Sequence, residues 1–294
     1  MSVWILSQQP ADTYENVRLL EEFSKAKIHA KLMHPDDFDI IVNKNNNKSI
    51  KYQGTNINLP KLVLTRTGSG TNYFTNAVIR QLERLGVPTI NCNDSIDRVK
   101  DKLLTHQILS YHNIPTPRTM LVKFPVSSDV VEKEIGFPCV VKVIQGSYGK
   151  GVHLCPTKDA FTKLMDLIAD LAIKKIMIVQ EFIATKAGSD LRVWVIGGKV
   201  VGAMKRTGPD GDFRANITNG GCGEPFAVTE EIDVLCRETA KVLGLDIAGI
   251  DLLFDNDGFK VCEANSAPGF EGFETYCQVN IAKHVIDYIK FKLS

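Results

Sequence analysis

Apolar positions along this chain fall into two patterns, short unbroken runs and stripes that recur every three to four residues, and the two alternate. Residues 3–6 read as a strand, and 14–27 as a helix with Val17, Leu20 and Phe23 on one face. Residues 40–42 read as a short strand before the polar tract 43–49, which reads as a loop. A strand at 62–65 leads through Arg66-Thr67-Gly68-Ser69-Gly70-Thr71 into a helix carrying Phe74, Val78, Leu82 and Leu85, and 89–92 is the last strand of this first unit. Asp94 or Ser95 then caps a helix whose stripe is Ile96, Val99, Leu103, Leu104, Ile108 and Leu109, ended by Asn113 and Pro115.

From 117 to 182 the pattern gives a second α/β unit with antiparallel strands at 137–144, 152–155 and 176–183. Its helix opens at Thr157 and turns Phe161, Leu164, Met165, Ile168 and Leu171 inward. Beyond it, strands at 190–195 and 199–206 meet at the tight turn Ile196-Gly197-Gly198. A helix at 229–243 stops at Gly244, and a last helix at 279–292 ends in basic residues that suit its dipole.

The stretch 250–265 breaks the rule that apolar runs stay apolar. It reads as a β-hairpin in which Asn256, Asp257 and Gly258 form a three-residue loop with Gly258 at the left-handed position. That register sets Asp251 opposite Glu263, and the period of two places Asn265 on the same face. Three oxygen ligands then converge. A carboxylate inside an apolar strand is expensive to desolvate without compensation, which a hard divalent cation offers when it is shared with phosphate.

Lys142 poses the same problem inside the strand 137–144, where it must snorkel out or meet a charge. Gly146, Ser147, Gly149 and Gly151 follow in a loop that re-enters a strand, which no Walker A loop does. The turn 66–71 is either a strand-to-helix corner or an anion cradle at a helix N-terminus, and Arg66 beside it suits an acceptor carboxylate.

Composition removes classes rather than adding them. A chain of 294 residues is long for one core and points to two or three units. With 44% hydrophobic and 23% charged residues and a net charge of +1, there is no global footprint for nucleic acid or an anionic membrane. No apolar run approaches the ~18 residues of a membrane span, and residues 1–6 are too short for a signal peptide. The seven cysteines include no CxxC pair, so reduced thiols in a cytoplasm are expected and a zinc site is not.

Asp251, the run Glu263-Ala264-Asn265-Ser266-Ala267-Pro268-Gly269 and Glu271-Gly272 resemble the metal-binding signature of the ATP-grasp ligases, most closely the RimK-type amino-acid ligases. The resemblance is strong from about residue 94 to the C-terminus and loose before it. It implies an α/β (α+β) fold in three parts: an N-terminal α/β pre-ATP-grasp unit at 1–93, a central lid unit at 94–183 and a C-terminal metal-binding unit at 184–294. ATP would lie between the last two. Two Mg²⁺ ions, with Mn²⁺ as a substitute, would be held by Asp251, Glu263 and Asn265. Lys102 and Lys142 would contact phosphates under a lid of Gly146, Ser147, Gly149 and Gly151. Glu181 and the backbone of Phe182 would form the adenine hinge, and Asp190 would face the ribose. Arg214, Ala215 and Asn216, in Gly211-Asp212-Phe213-Arg214-Ala215-Asn216, would hold nucleotide and transferring phosphate, so that Lys142, Arg214 and Asn216 count as catalytic. Arg66, Arg192 and Arg206 are the candidates for substrate contacts.

The family's chemistry activates a carboxylate as an acyl phosphate and lets an amine displace phosphate. L-Glutamate is the expected amine donor, and a peptide C-terminus or small carboxylate the acceptor, in an enzyme that commonly forms homo-oligomers. The alternative implied by similarity to the synapsins is a nucleotide-binding interaction module without turnover.

Overall fold

A strand apolar on both faces belongs inside a parallel sheet, and β1 (Ser2–Ser7) is a central strand of one. The computed structural model describes residues 2–42, 44, 49–144, 151–171, 173, 176–215 and 220–294. Helix α1 (Tyr14–Lys25) returns the chain to β2 (His29–Met33), parallel to β1 with Ile5 opposite Leu32. β2 alternates exposed and half-buried residues, so it carries no apolar run by which to read it. Strands β3 (Phe38–Ile40), β4 (Ile50–Tyr52) and β5 (Thr55–Asn56) make a small antiparallel sheet of their own. The strand expected at 40–42 is thus shifted back: Phe38 packs between Trp4 and Tyr52, while Val42 is 87% exposed. β6 (Leu62–Arg66), α2 (Tyr73–Arg84) and β7 (Thr89–Ile90) complete the order β2-β1-β6-β7.

The helix expected to start near 94 and stop at Asn113 is two helices, α3 (Asn93–Lys100) and α4 (Lys102–Tyr111). Asp101 breaks it by adopting extended backbone (φ −90°, ψ 105°), and its carboxylate accepts from the Leu104 N–H at 3.0 Å. The stripe rotates as a result. Leu104 becomes 38% exposed, while Thr105, His106 and Leu109 are buried.

The central unit is antiparallel, as expected. β8 (Thr119–Leu121), α5 (Ser128–Glu134), β9 (Cys139–Val143), β10 (Val152–Cys155), α6 (Lys158–Asp170) and β11 (Met177–Glu181) build a sheet of order β10-β9-β11-β8. Thr157 caps α6 by accepting from Ala160 N–H. Phe161, Met165 and Ile168 of that helix pack on Cys139, Val141 and Val179 in a core confined to this unit.

β12 (Ser189–Ile196), β13 (Lys199–Thr207), β14 (Cys222–Phe226), α7 (Glu230–Leu243), β15 (Ile247–Asp255) and β16 (Gly258–Asn265) form the C-terminal sheet, order β14-β13-β12-β15-β16. One face packs on α7 and takes in Val99, Leu109 and Ile114 from the α3–α4 region. The other face, through Trp194, Ile196 and Met204, packs against α8 (Glu271–Cys277), α9 (Ile281–Leu293) and the N-terminal residues Val3, Ile5, Leu19 and Phe23. The segment 266–270 after Asn265 is a turn, and α8 begins at Glu271.

The hairpin places Asp251 opposite Glu263, but not by the expected loop. The chain turns on Asn256 and Asp257 alone, Asp255 pairs with Gly258 (φ +124°), and Leu252 pairs with Val261. A bulge at Cys262 then adds one residue and restores the pairs Asp251–Glu263 and Gly249–Asn265. Among the described residues, no helix is long and apolar enough to cross a membrane.

Candidate active site

The β10-β9-β11-β8 sheet, the β15–β16 hairpin and the start of α2 enclose a cleft of about 1290 Å³. Asp251, Glu263 and Asn265 all line it, projecting from paired positions of one hairpin. Asn265 donates its amide nitrogen to Gly249 O at 3.4 Å, which leaves its oxygen as the group on offer. Two carboxylates and an amide oxygen are an all-oxygen donor set, which fits a hard divalent cation such as Mg²⁺. Among the described residues, no cluster of three His, Cys, Asp or Glu side chains forms.

Asp251 is the hub of a charged network. Arg192 grips both of its oxygens through Nε and Nη2, and Arg206 Nη2 reaches it at 3.0 Å. Arg206 also holds Asp190 through two bonds of 2.7 and 2.6 Å. Burial pushes the Asp251 carboxyl up, and the two guanidinium groups outweigh it, so it sits below the ordinary range. Glu263 is a third exposed at its side chain and meets Lys102 Nζ at 3.6 Å.

Lys102, Lys142 and Arg214 line the same cleft. Lys102 opens α4 directly after the Asp101 break, and Lys142 projects from β9 with Nζ 3.7 Å from Cys262 Sγ. Arg214 is paired with Asp212 at 2.8 Å, and Ala215 beside it is buried and borders the cleft. Gly151 directly precedes β10. Gly146, Ser147, Gly149 and Asn216 lie outside the described residues.

At the far end of the cleft, Glu181 turns its carboxylate onto Lys260 (2.7 Å) and Arg118 (2.9 Å). Burial raises its carboxyl, and these partners more than reverse it. What residues 181 and 182 offer inward is therefore backbone and the Phe182 ring, edge-on to Phe213. Leu253 and Phe254 add an apolar wall, and Lys186 lies 4.4 Å over the Phe254 ring. Leu253 was legible from its alternation with Asp251, but no local signal marks Lys186 or the bulged Cys262.

Arg192 and Arg206 reach the cleft and Arg66 does not. Arg66 donates to Pro268 O at 2.8 Å and stacks on Phe270, and burial pulls its guanidinium down to about 10. It holds the turn after Asn265 rather than facing an acceptor. The turn beside it, with Gly68, Gly70 and Thr71, does border the cleft.

Residues 1–96 match the RimK PreATP-grasp domain and residues 99–289 the RimK-like ATP-grasp domain. A protein of Shewanella sp. (strain MR-4) named "Probable alpha-L-glutamate ligase 1" is 36% identical over 292 residues, covering 99% of this chain and 95% of its own. The ATP-grasp ligase PsnB, solved with a phosphomimetic variant of a minimal precursor, Mg and ADP, superposes with a TM-score of 0.77 at 20% identity over 99% of this chain and 98% of that one. A RimK domain ATP-grasp protein from Sphaerobacter thermophilus does so with a TM-score of 0.74 at 19% identity over 98% and 99%. These likenesses establish the ATP-grasp fold. Because the two RimK domain matches between them take in nearly the whole length, the chain belongs to the RimK-like ATP-grasp family and is an ATP-dependent carboxylate–amine ligase.

Proposed function

We propose that the enzyme joins L-glutamate, through its amine, to the carboxylate of a peptide C-terminus or a small molecule by way of an acyl phosphate. The observation that carries this reading is one cleft that collects an all-oxygen cation site and three cationic side chains, Lys102, Lys142 and Arg214. The named relatives support glutamate, and the peptide complex of PsnB supports a peptide acceptor.

A carboxylate resists attack by an amine because it is a poor electrophile. Transferring the γ-phosphoryl group of ATP to it creates a leaving group, and that transfer needs placement and charge neutralisation more than covalent catalysis. Asp251, Glu263 and Asn265 would hold Mg²⁺, in our reading two ions with Mn²⁺ able to substitute, and the metal would supply neutralisation of phosphate charge. Lys102 and Lys142 orient the phosphate chain, and Arg214 with Asn216 stabilises the group in flight. Arg192 and Arg206 orient substrate carboxylates. We read the division as an N-terminal α/β unit at 1–93, a lid unit at 94–183 and a unit with the cation site at 184–294. The seven free thiols suit a reducing, cytoplasmic setting.

The test is ADP release by the purified protein with Mg²⁺, a panel of amino acids and peptides with varied C-termini, followed by mass analysis of the acceptor. Release that depends on glutamate, with the acceptor heavier by glutamyl residues, is the expected result. Release without dependence on any amine, or none at all, contradicts the reading and favours a binding module.

A further inference from the structure

Lys100 borders the cleft from the last position of α3, and the roles assigned above leave it unused. It makes no hydrogen bond or ion pair with any described residue. The acid one turn earlier on the same helix, Asp97, is the partner that helical spacing would supply, and it is spent elsewhere. Its Oδ1 accepts from Asn76 Nδ2 at 2.5 Å and its Oδ2 from Asn93 Nδ2 at 3.1 Å. Burial pulls the Lys100 ammonium below its ordinary range, and Asp97 opposes that only from a distance.

Lys102, two residues on, stands differently. The Asp101 break separates the two lysines, and Lys102 meets Glu263 at 3.6 Å. Asp97 instead ties α3 to α2 through Asn76, and Thr71, Asn72, Tyr73 and Asn76 border the cleft on that side. Lys100 therefore presents a partly desolvated charge, without a counter-charge from the described residues, on the wall it shares with α2. An anion brought in from outside stabilises a lysine in that state. The reaction brings three kinds of anion: the triphosphate, the carboxylate to be activated, and any carboxylate that does not react. The first two belong with the cation site, Lys102, Lys142 and Arg214 in the reading above, which leaves the third.

We propose that Lys100 holds a substrate carboxylate that takes no part in the reaction, and so selects an acidic over an amide side chain. The proposal rests on the reading that the donor or the acceptor carries such a group, the side chain of glutamate or of an acidic C-terminal residue. Lys100 is a specificity-determining residue here: it touches substrate and none of the reacting atoms.

The experiment is calorimetry on the full chain loaded with Mg²⁺ and a non-hydrolysable ATP analogue, so that binding is read without turnover. The donor arm compares L-glutamate with L-glutamine, and the acceptor arm compares alanyl-glutamate with alanyl-glutamine. In at least one arm wild type binds the acid roughly 30-fold more tightly than the amide, the scale of one charge-assisted hydrogen bond, and that arm names the source of the carboxylate. Lys100→Met keeps the stem and removes the charge, and the preference falls to within about threefold, while the analogue binds as in wild type. Lys100→Gln repeats that loss where Lys100→Met does not fold, and Lys100→Arg keeps the preference within about threefold of wild type. A lysine that only supported the fold would weaken acid and amide alike and leave the ratio unchanged. No preference in either arm of wild type, or an unchanged ratio in Lys100→Met, overturns the proposal. So does analogue binding about tenfold weaker in Lys100→Met, which would make Lys100 a phosphate contact. Absence of glutamate-dependent ADP release would defeat the glutamate reading, whereas a preference lost from the acceptor arm in Lys100→Met would leave this one standing.

Discussion

Asp251 carries two guanidinium partners as well as its place in the proposed cation site, and that double duty changes how it should be tested. Asp251→Asn leaves Arg192 and Arg206 short of a counter-charge, and breaking a buried ion pair of this kind costs about 3–5 kcal/mol. The variant is expected to lose both ADP release and thermal stability. Among the described residues Glu263 meets Lys102 at 3.6 Å and is more open to solvent, so Glu263→Gln is expected to lose ADP release while melting close to wild type. A Glu263→Gln protein that still ligates at the wild-type rate would remove the cation-site assignment. His106 carries a second residue-scale prediction. Its imidazole titrates near 6.5 when unfolded and near 3 when folded, so between those values the unfolded chain holds a proton that the native chain does not. Stability is full above pH 6.5, falls by up to ~1.4 kcal/mol for each unit below it, and stops falling near pH 3. Urea midpoints at pH 7.5 and 5.0 should show wild type losing about 2 kcal/mol more than His106→Gln.

At the scale of elements, small backbone irregularities aim the chemistry. The Asp101 break restarts the helix at Lys102, and the Cys262 bulge brings Glu263 back opposite Asp251. Period-two reasoning arrived at the right partner for Asp251 through the wrong loop, because a bulge leaves no mark in a run of alternating residues. The turn after Asn265 depends on close backbone approach. A Cβ on Gly249 would stand 2.7 Å from Pro268 Cβ and 3.2 Å from Arg192 Cδ, and Gly249 O also receives Asn265. Gly249→Ala is therefore expected to cost about 1–3 kcal/mol and to lower ADP release by displacing Asn265. A melting temperature equal to wild type would show that the turn yields freely.

Across the whole molecule, the cores do not follow the order of the chain. The central unit keeps its own core, whereas α1 and β1 share one with β12, α8 and α9, helped by Arg18 and Tyr14 on Glu274. Trp4 and Trp194 report on the N-terminal sheet and the C-terminal sheet respectively. Single-tryptophan variants made by Trp4→Phe and Trp194→Phe should give coincident urea transitions, and two separated midpoints would show that the units unfold independently. Residues 94–294 alone should fail to fold, since the faces of Trp194, Ile286 and Ile289 would lose their cover. What the sequence by itself determined was the order of chemistry-bearing residues and the antiparallel character of the lid, because strand alternation, caps and short motifs act over a few residues. Tertiary structure alone decided that Arg66 braces Pro268 from 202 positions away, that Arg192 and Arg206 already hold Asp251, and that His106 and Gln180 meet. Each of those outcomes is set by which distant groups share a desolvated space, and no local pattern carries that information.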